Sequence, residues 1–250
     1  EAAADELLAV PQGGTAVGTG INALPEFSGQ FIKFLRANTG YPFTSLEHKF
    51  TGQSAVDGPV ALSAQLRGVA IVLTKIANDL RWMNSGPIHG LAEISLPALQ
   101  PGSSIMPGKV NPVIPESVAM VAAQVTGLDS AVAMAGQSGN FQLNVMLPLV
   151  AGNLLDMTDL LTNASIMLAN KAIRDFTVNA DNLNAGVGRN PVLVTALNPE
   201  IGYSLAADIA KEAYRTGRPV IDVAEERSGL GRDRLEELMD PLKLTRGGIA

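Results

Sequence analysis

Three stretches of the chain carry apolar residues at alternating spacings of three and four positions, the pattern of helices that pack side by side. The first lies between residues 59 and 86, the second spans about 115–136, and the third about 143–170. Pro148, inside the third stretch, predicts a kink there. The positions predicted to be buried are Leu62, Leu66, Val69, Leu73, Ile76, Leu80 and Met83 in the first helix, Val118, Val121, Val125, Leu128, Val132 and Ala135 in the second, and Val150, Leu154, Met157, Leu161, Ala164 and Leu168 in the third.

Further small and apolar residues lie off these stripes in the first two helices. They are Ala61, Val72 and Trp82 in the first helix, and Ala122, Ala123 and Met134 in the second. A second apolar surface on a long helix is usually covered by another chain. The pattern therefore favours a homo-oligomer, and we expect a homotetramer built around a shared helical core. A single thick monomeric bundle is the alternative.

The pattern changes beyond Phe176. Residues 179–190 form a polar, glycine-containing stretch, and helical patterns follow at about 198–217, 220–227 and 232–239. We therefore predict an all-α fold, in which a long central helical bundle occupies residues 1–177. A small helical C-terminal domain is predicted for residues 178–250.

Composition supports a folded chain and excludes several classes of site. Hydrophobic residues make up 46% of the 250 residues and charged residues 17%, which provides ample material for a core. With no cysteine, neither disulfides nor thiolate metal sites can form, as is compatible with a cytoplasmic protein. The net charge of −6 and the lack of a basic run argue against nucleic acid and anionic membranes as partners. No uninterrupted apolar run reaches about 18 residues, so no membrane span is predicted.

Two features resemble other kinds of site but lack their context. The segment 13–20 is rich in glycine, but it has neither the lysine ending of a P-loop nor a preceding strand, so close packing is the better interpretation. His48 and His89 each lack a second ligand at metal-binding spacing, and we expect no metal site. His89 lies in a Gly-Pro turn and is the more suspicious of the two, although we do not expect it to be catalytic.

The richest chemistry lies in residues 102–112, Gly-Ser-Ser-Ile-Met-Pro-Gly-Lys-Val-Asn-Pro, followed by Pro115 and Glu116. Glycine and proline make this segment a loop, and its glycines permit close approach of the backbone to a ligand. The loop carries two hydroxyls, an ammonium and a carboxamide. These groups suit a small anionic substrate whose reaction builds negative charge on a carboxylate.

This loop resembles the signature loop of the fumarase/aspartase superfamily, lyases that add water or an amine across the fumarate double bond. The segments 13–20 and 197–203 are also similar to that family. The resemblance implies a helical homotetramer that uses no cofactor. It covers the C-terminal half or slightly more of a family member, and the chain has no initiator methionine, so we expect an N-terminally truncated sequence.

The resemblance also implies roles for the loop residues. Ser103 resembles the family's catalytic base. A serine hydroxyl is a poor base unless its alkoxide is stabilised by nearby N–H groups and a cation. Glu116 resembles the carboxylate that orients a catalytic histidine in the family's Thr-His motif, for which this chain contains no match. The residues expected to bind the substrate are Ser104, Lys109, Val110 and Asn111.

Within the superfamily, the segments 78–82 and 138–145 favour a fumarase, which hydrates fumarate to (S)-malate. Ile88 stands where many members carry arginine, and this weakens the assignment to a subfamily. Two alternatives are an aspartate ammonia-lyase and a helical assembly fragment that is catalytically incomplete. Because the catalytic histidine is missing, we expect the 250 residues alone to be inactive.

Overall fold

The computed structural model describes residues 2–247, and most of that range is helical. The α-helices are α1 (Ala2–Glu6), α2 (Phe27–Thr39), α3 (Lys49–Ser54), α4 (Asp57–Met83), α5 (Val113–Gly136), α6 (Leu147–Leu168), α7 (Ala180–Gly188), α8 (Asn198–Ile201), α9 (Tyr203–Thr216), α10 (Val220–Ser228), α11 (Arg232–Leu238) and α12 (Pro241–Leu244). A π-helical turn, Ala169–Ile173, continues α6, and a 3₁₀-helix, Pro191–Leu197, precedes α8. The predicted all-α fold is confirmed.

Four strands of two residues each complete the described structure. In the first sheet, β1 (Ala9–Val10) pairs in parallel with β2 (Thr44–Ser45). In the second, β3 (Ile94–Ser95) pairs antiparallel with β4 (Thr177–Val178). Both sheets only fasten loops between helices.

The chain divides into two compact units. The first contains the residues up to Trp82 together with 96–176, and the second contains 83–95 together with the residues from Thr177 onward. The segment 83–95 belongs to the second unit because β3 pairs with β4 and because Asn179 donates its side-chain N–H to the carbonyl of Ala92, at 2.9 Å.

In the first unit, α4, α5 and α6 pack around a shared core. Five of the six positions predicted to be buried on α6 are buried, namely Val150, Met157, Leu161, Ala164 and Leu168. The sixth, Leu154, packs against Val132 and Ala135 of α5. The three-four spacing therefore identified the buried face of α6 correctly.

The predicted kink at Pro148 is wrong. α6 begins at Leu147, so Pro148 lies in the first turn, where its missing N–H is not needed. The buried Asn144 holds the preceding turn in place: its Nδ2 donates to the Ala135 carbonyl at 2.9 Å, and its Oδ1 accepts from the Met146 N–H at 2.9 Å. The chain therefore enters α6 from a pinned turn.

The buried face of α4 lies one position away from the predicted stripe at several points. The fully buried residues of α4 are Ser63, Ala70, Ala77 and Leu80, whereas Val69 is 46% exposed. Ser63 and Ala70 lie on the face of α4 that meets the other two helices: Ser63 hydrogen-bonds to Asp129, and Ala70 packs in the core around Val125 and Met157. Ala122 of α5, expected on an outer surface, is also buried in this core.

A polar cluster lies inside this bundle. The Ser63 hydroxyl donates to Oδ1 of Asp129 at 2.7 Å and lies 3.7 Å from the sulfur of Met157. The Asp129 side chain is only 9% exposed, and its Oδ2 lies 3.3 Å from Nε of Arg67. Arg67 neutralises the charge of the Asp129 carboxylate, and Ser63 donates a hydrogen bond to it. The cluster therefore links α4 to α5 without leaving a buried unpaired charge.

We expect Asp129→Ala to destabilise the protein that carries this chain by about 1.5–3 kcal/mol, the usual value of a hydrogen bond to a charged group. The substitution leaves the buried hydroxyl of Ser63 with only a weak sulfur partner. Equilibrium unfolding in urea measures the change. Asp156→Ala, which removes an exposed carboxylate from α6, is the control and should stay within about 0.5 kcal/mol of wild type. Equal stability of the two variants would contradict the prediction.

The second unit has its own core, formed around Leu197, Ile209, Val220, Val223 and Leu235. Its surface carries a dense set of ion pairs. Arg232 hydrogen-bonds to Asp222, Glu225 and Glu236, and these bonds raise the pKa of its guanidinium. The hydrogen bond from Arg218 similarly lowers the pKa of Glu226. The side chains of these groups are 37–61% exposed, so water screens their ion pairs and the apolar core carries the stability of the unit.

The three bundle helices also expose apolar side chains. Exposed fractions reach 61% at Ile71, 69% at Trp82 and 68% at Leu155. By length and composition alone, α4 and α5 could cross a membrane, with a mean hydropathy of 1.5 each. This is weak evidence, because long helices of water-soluble bundles pass the same test.

Candidate active site

The loop before α5 is closed at its base by two hydrogen bonds. The Gly102 N–H donates to the Lys109 carbonyl at 2.8 Å, and Nδ2 of Asn111 donates to the Gly102 carbonyl at 2.9 Å. Residues 103–108 therefore form a lobe whose two ends meet. Inside the lobe, the Lys109 N–H reaches the Met106 carbonyl at 3.3 Å.

Two glycines permit this closure. A Cβ at Gly102 would lie 2.6 Å from the Lys109 carbonyl oxygen and 3.1 Å from the Asn111 nitrogen, so any larger residue would force the base open. Gly108 has a φ of +82°, in the left-handed region that other residues rarely adopt. The glycines thus act by closing and turning the loop.

A cavity of about 490 Å³ opens beside the lobe. It is lined by Ala98, Leu99, Gln100, Pro101, Ser103 and residues 106–110. Ser103 is half-buried, and its Oγ accepts a hydrogen bond from the Ile105 N–H at 3.3 Å. The structure therefore brings a hydroxyl, from Ser103, and an ammonium, from Lys109, to the wall of one cavity.

Charge around this cavity has one sign. Of the described residues that line it, Lys109 alone carries a charge. The remaining lining is mostly apolar, contributed by such residues as Leu99 and Met106. A positive charge beside apolar walls favours a small anion, even though the whole chain carries a net charge of −6. Sequence reasoning missed Leu99 and Met106 because apolar residues beside a polar motif give no chemical signal.

The six residues predicted to form the site divide into two groups. Ser103, Lys109 and Val110 line the cavity, whereas Ser104, Asn111 and Glu116 do not. Ser104 is exposed on the lobe, and Asn111 is held at its base. Glu116 is half-buried in the first turn of α5, where its negative charge interacts favourably with the positive end of the helix dipole. The individual catalytic roles stay predictions.

The two weaker sequence features lie elsewhere. His48 is exposed immediately before α3, and His89 is exposed in the segment 83–95. Within residues 2–247, no three His, Asp or Glu side chains are placed to hold a metal ion together.

The glycine-rich segment 13–20 forms a tight turn beside α3. Nε2 of Gln53 donates to the Thr15 carbonyl at 3.0 Å. A Cβ at Gly18 would lie 2.6 Å from the Phe50 nitrogen, so the turn packs directly on the α3 backbone. This contact agrees with the predicted packing role of the segment.

Comparison with known proteins gives two family matches. A model described as "Lyase" matches residues 1–127, and a model described as "Fumarase C C-terminus" matches residues 193–246. A curated relative, fumarate hydratase class II 2 of Pseudomonas aeruginosa, is 63% identical over 238 residues, which is 95% of this chain and 52% of the relative.

Two solved structures of fumarase-type lyases are similar to this chain in both sequence and fold. A crystal structure of a fumarate lyase:delta crystallin from Brucella melitensis, bound to cobalt, is 43% identical, with a TM-score of 0.91 over 97% of this chain and 53% of that one. The class II fumarase of Schistosoma mansoni is 34% identical, with a TM-score of 0.91 over 97% of this chain and 54% of its own. The chain thus spans about half the length of the relatives it matches. These matches show that the chain belongs to the lyase family of the fumarase/aspartase superfamily, as part of a class II fumarase-like sequence.

Proposed function

We propose that the protein carrying this chain is a fumarate hydratase, which interconverts fumarate and (S)-malate by anti addition and elimination of water. The observation that carries the proposal is the placement of Ser103 and Lys109 on the wall of one cavity, in the loop that the family uses as its signature. A curated relative that is 63% identical is named as a class II fumarate hydratase.

The reaction needs a base and a positive charge in one place. Removal of the C3 proton of malate leaves an aci-carboxylate, in which the neighbouring carboxyl group carries two negative charges. Lys109 supplies a fixed charge for these oxygens, the kind of stabilisation that contributes most when it is preorganised. Departure of the C2 hydroxyl, which takes up a proton to leave as water, completes the double bond of fumarate.

Ser103 is the proposed base. A serine hydroxyl abstracts a proton only as its alkoxide, and this alkoxide needs donors and a cation close by. The Ile105 N–H already points at Oγ, and Lys109 lines the same cavity. Glu116 would orient the family's catalytic histidine, while Ser104, Val110 and Asn111 complete the proposed substrate contacts.

The absorbance of the fumarate double bond tests the proposal. With (S)-malate as substrate, the protein expressed from the whole reading frame should make this absorbance rise with time as fumarate forms. With fumarate as substrate, the absorbance should fall with time as fumarate is hydrated. L-aspartate should produce no change. Fumarate formed from aspartate but not from malate would replace the hydratase with an ammonia-lyase, and no change with either substrate would refute the proposed reaction.

We also propose that the protein is a cytoplasmic homotetramer. The exposed apolar residues on α4, α5 and α6 support assembly, since surfaces of this kind are normally covered by another subunit. Sedimentation equilibrium of the whole protein at micromolar concentration should give four times the mass of the chain. A stable, folded monomer would contradict this prediction.

A further inference from the structure

We propose that the turn formed by residues 137–146 docks against the cavity beside Ser103 in a second copy of this chain, with the ring of Phe141 as the central contact. The inference rests on the proposed homo-oligomer and not on the proposed reaction. It names the two surfaces that meet at one interface of that assembly.

Phe141 is the most exposed large apolar residue that the structure describes, at 93%. Val145, in the same turn, is also largely exposed. The backbone of Phe141 has a φ of +51°, a conformation that a bulky residue rarely adopts. Such a conformation persists only where the surrounding structure enforces it. The turn therefore holds out an aromatic ring that its own chain leaves uncovered.

Hydrogen bonds fix the shape of this turn. Asn140 and Leu143 exchange two backbone hydrogen bonds, of 2.9 and 3.2 Å. The buried Asn144 donates to the carbonyl of Ala135, in the last turn of α5. Because the turn is already ordered, covering its ring costs little conformational freedom, which favours docking.

The cavity beside Ser103 has more apolar wall than the proposed substrate needs. Six of its ten lining residues are apolar, namely Ala98, Leu99, Pro101, Met106, Pro107 and Val110. Its volume of about 490 Å³ falls in the range of sites that enclose drug-sized ligands, whereas fumarate has only four carbons. An aromatic ring is the kind of group that such walls cover favourably.

The ring and the cavity lie at opposite ends of α5. With 24 residues at about 1.5 Å each, α5 is roughly 36 Å long. Val110 lines the cavity just before α5 begins, and Phe141 follows just after it ends. The ring can therefore reach such a cavity only in another copy. Two antiparallel copies related by a two-fold axis would each place a turn in the other's cavity, so the contact closes on itself.

The cavity end of α5 carries an excess of positive charge. Arg81 lies in the last turn of α4, and Lys171 lines a cleft together with Pro112, immediately before α5. The cations at this end are Arg81, Lys109, Lys171 and Arg174, and the acids are Glu116 and Asp175.

The end that carries the turn has an excess of negative charge. α4 begins beside it, since a Cβ at Gly136 would lie 2.8 Å from the Val60 side chain. Glu6 packs there against Gly58, at 3.3 Å from the position of a Cβ. The acids at this end are Asp5, Glu6, Glu47 and Asp57, and the cation is Lys49. Opposite charges thus favour the pairing of the turn of one copy with the cavity of another, and disfavour the pairing of like ends.

Cross-linking of engineered cysteines in the whole protein tests the contact. The 250 residues contain no cysteine, and any cysteine elsewhere in the protein is first replaced by serine. With Phe141→Cys and Leu99→Cys in one chain, a short bismaleimide should join most chains into covalent dimers on a denaturing gel. Saturating succinate, an unreactive dicarboxylate, should not lower the yield, because the ring covers the apolar wall and leaves Lys109 to the ligand. Each single cysteine variant is a control and should stay monomeric on the gel.

Sedimentation of Phe141→Ala measures the contribution of the ring. The dissociation constant of the assembly should rise at least about tenfold, as for a central aromatic residue of an interface. The far-UV circular dichroism should not change, because the side chain is exposed within its own chain. Tyr214→Ala, which removes an equally exposed aromatic side chain from α9, is the control and should assemble like wild type.

The results separate this contact from the other proposals. An oligomer without cross-linked dimers in the double variant, or with a cross-link inside one chain, would overturn the contact and leave the oligomer. Dimers of equal yield in a single variant, loss of the dimers in succinate, or full-strength assembly of Phe141→Ala would also overturn it. A monomeric wild-type protein would overturn both the contact and the oligomer. Cross-linked dimers in a protein without hydratase activity would support the contact while the proposed reaction fails.

Discussion

Ser103→Ala should lower kcat for malate dehydration by about 10²–10⁴, the usual cost of removing one positioned acid or base. Binding of succinate should change little, because a base acts mainly in the transition state and adds little to ground-state affinity. Steady-state kinetics and succinate titration on the whole protein measure the two effects. Ser103 is half-buried in the cavity wall, and its replacement by alanine removes a single oxygen atom.

A second serine provides the comparison. Ser130 is exposed on α5, and its hydroxyl donates only to the Thr126 carbonyl of its own helix, at 3.1 Å. Ser130→Ala should therefore leave kcat unchanged. If Ser103→Ala kept most of its turnover, the serine would be a ligand or a turn-former, and His89 would be the first alternative base to test.

The helical core could be predicted where large apolar residues form the contact line. On α6, residues such as Met157 and Leu161 repeat at three-four spacing, and the structure buries them. On α4, the same rule selected Val69, whereas the structure buries Ala70 beside it. Which face of a helix is buried depends on where its partner helices lie, and a pattern read from one helix carries no information about its partners.

The loop shows a similar limit. Its residue types predicted a polar, glycine-dependent site, and the structure places Ser103 and Lys109 on one cavity. The bond from Asn111 to Gly102 joins residues nine positions apart, and no local spacing rule indicates it. The grouping of residues 83–95 with the second unit depends on the pairing of β3 with β4, more than 80 residues apart in the chain. Strands of two residues are too short to give a recognisable sequence pattern, so this pairing could not be predicted.

Lys109→Ala should damage binding and catalysis together. The same ammonium would hold the ground-state carboxylate and the doubly charged intermediate, so succinate affinity should fall by about 1.5–3 kcal/mol, the value of a hydrogen bond to a charged group. Loss of preorganised stabilisation should lower kcat by a further factor of about 10²–10³. Kinetics and inhibitor titration on the whole protein separate the two losses.

Lys109→Arg sharpens this prediction, because it keeps the charge and changes its shape. A planar guanidinium spreads its charge over a fork of donors, whereas an ammonium concentrates it at one point. We therefore expect succinate affinity to recover more than kcat does. Lys211→Ala, which removes an ammonium from a side chain that is 79% exposed on α9, is the control and should alter neither quantity. Full recovery of kcat by arginine would show that only net charge matters at this position, and unchanged succinate binding in Lys109→Ala would place the substrate carboxylate away from this lysine.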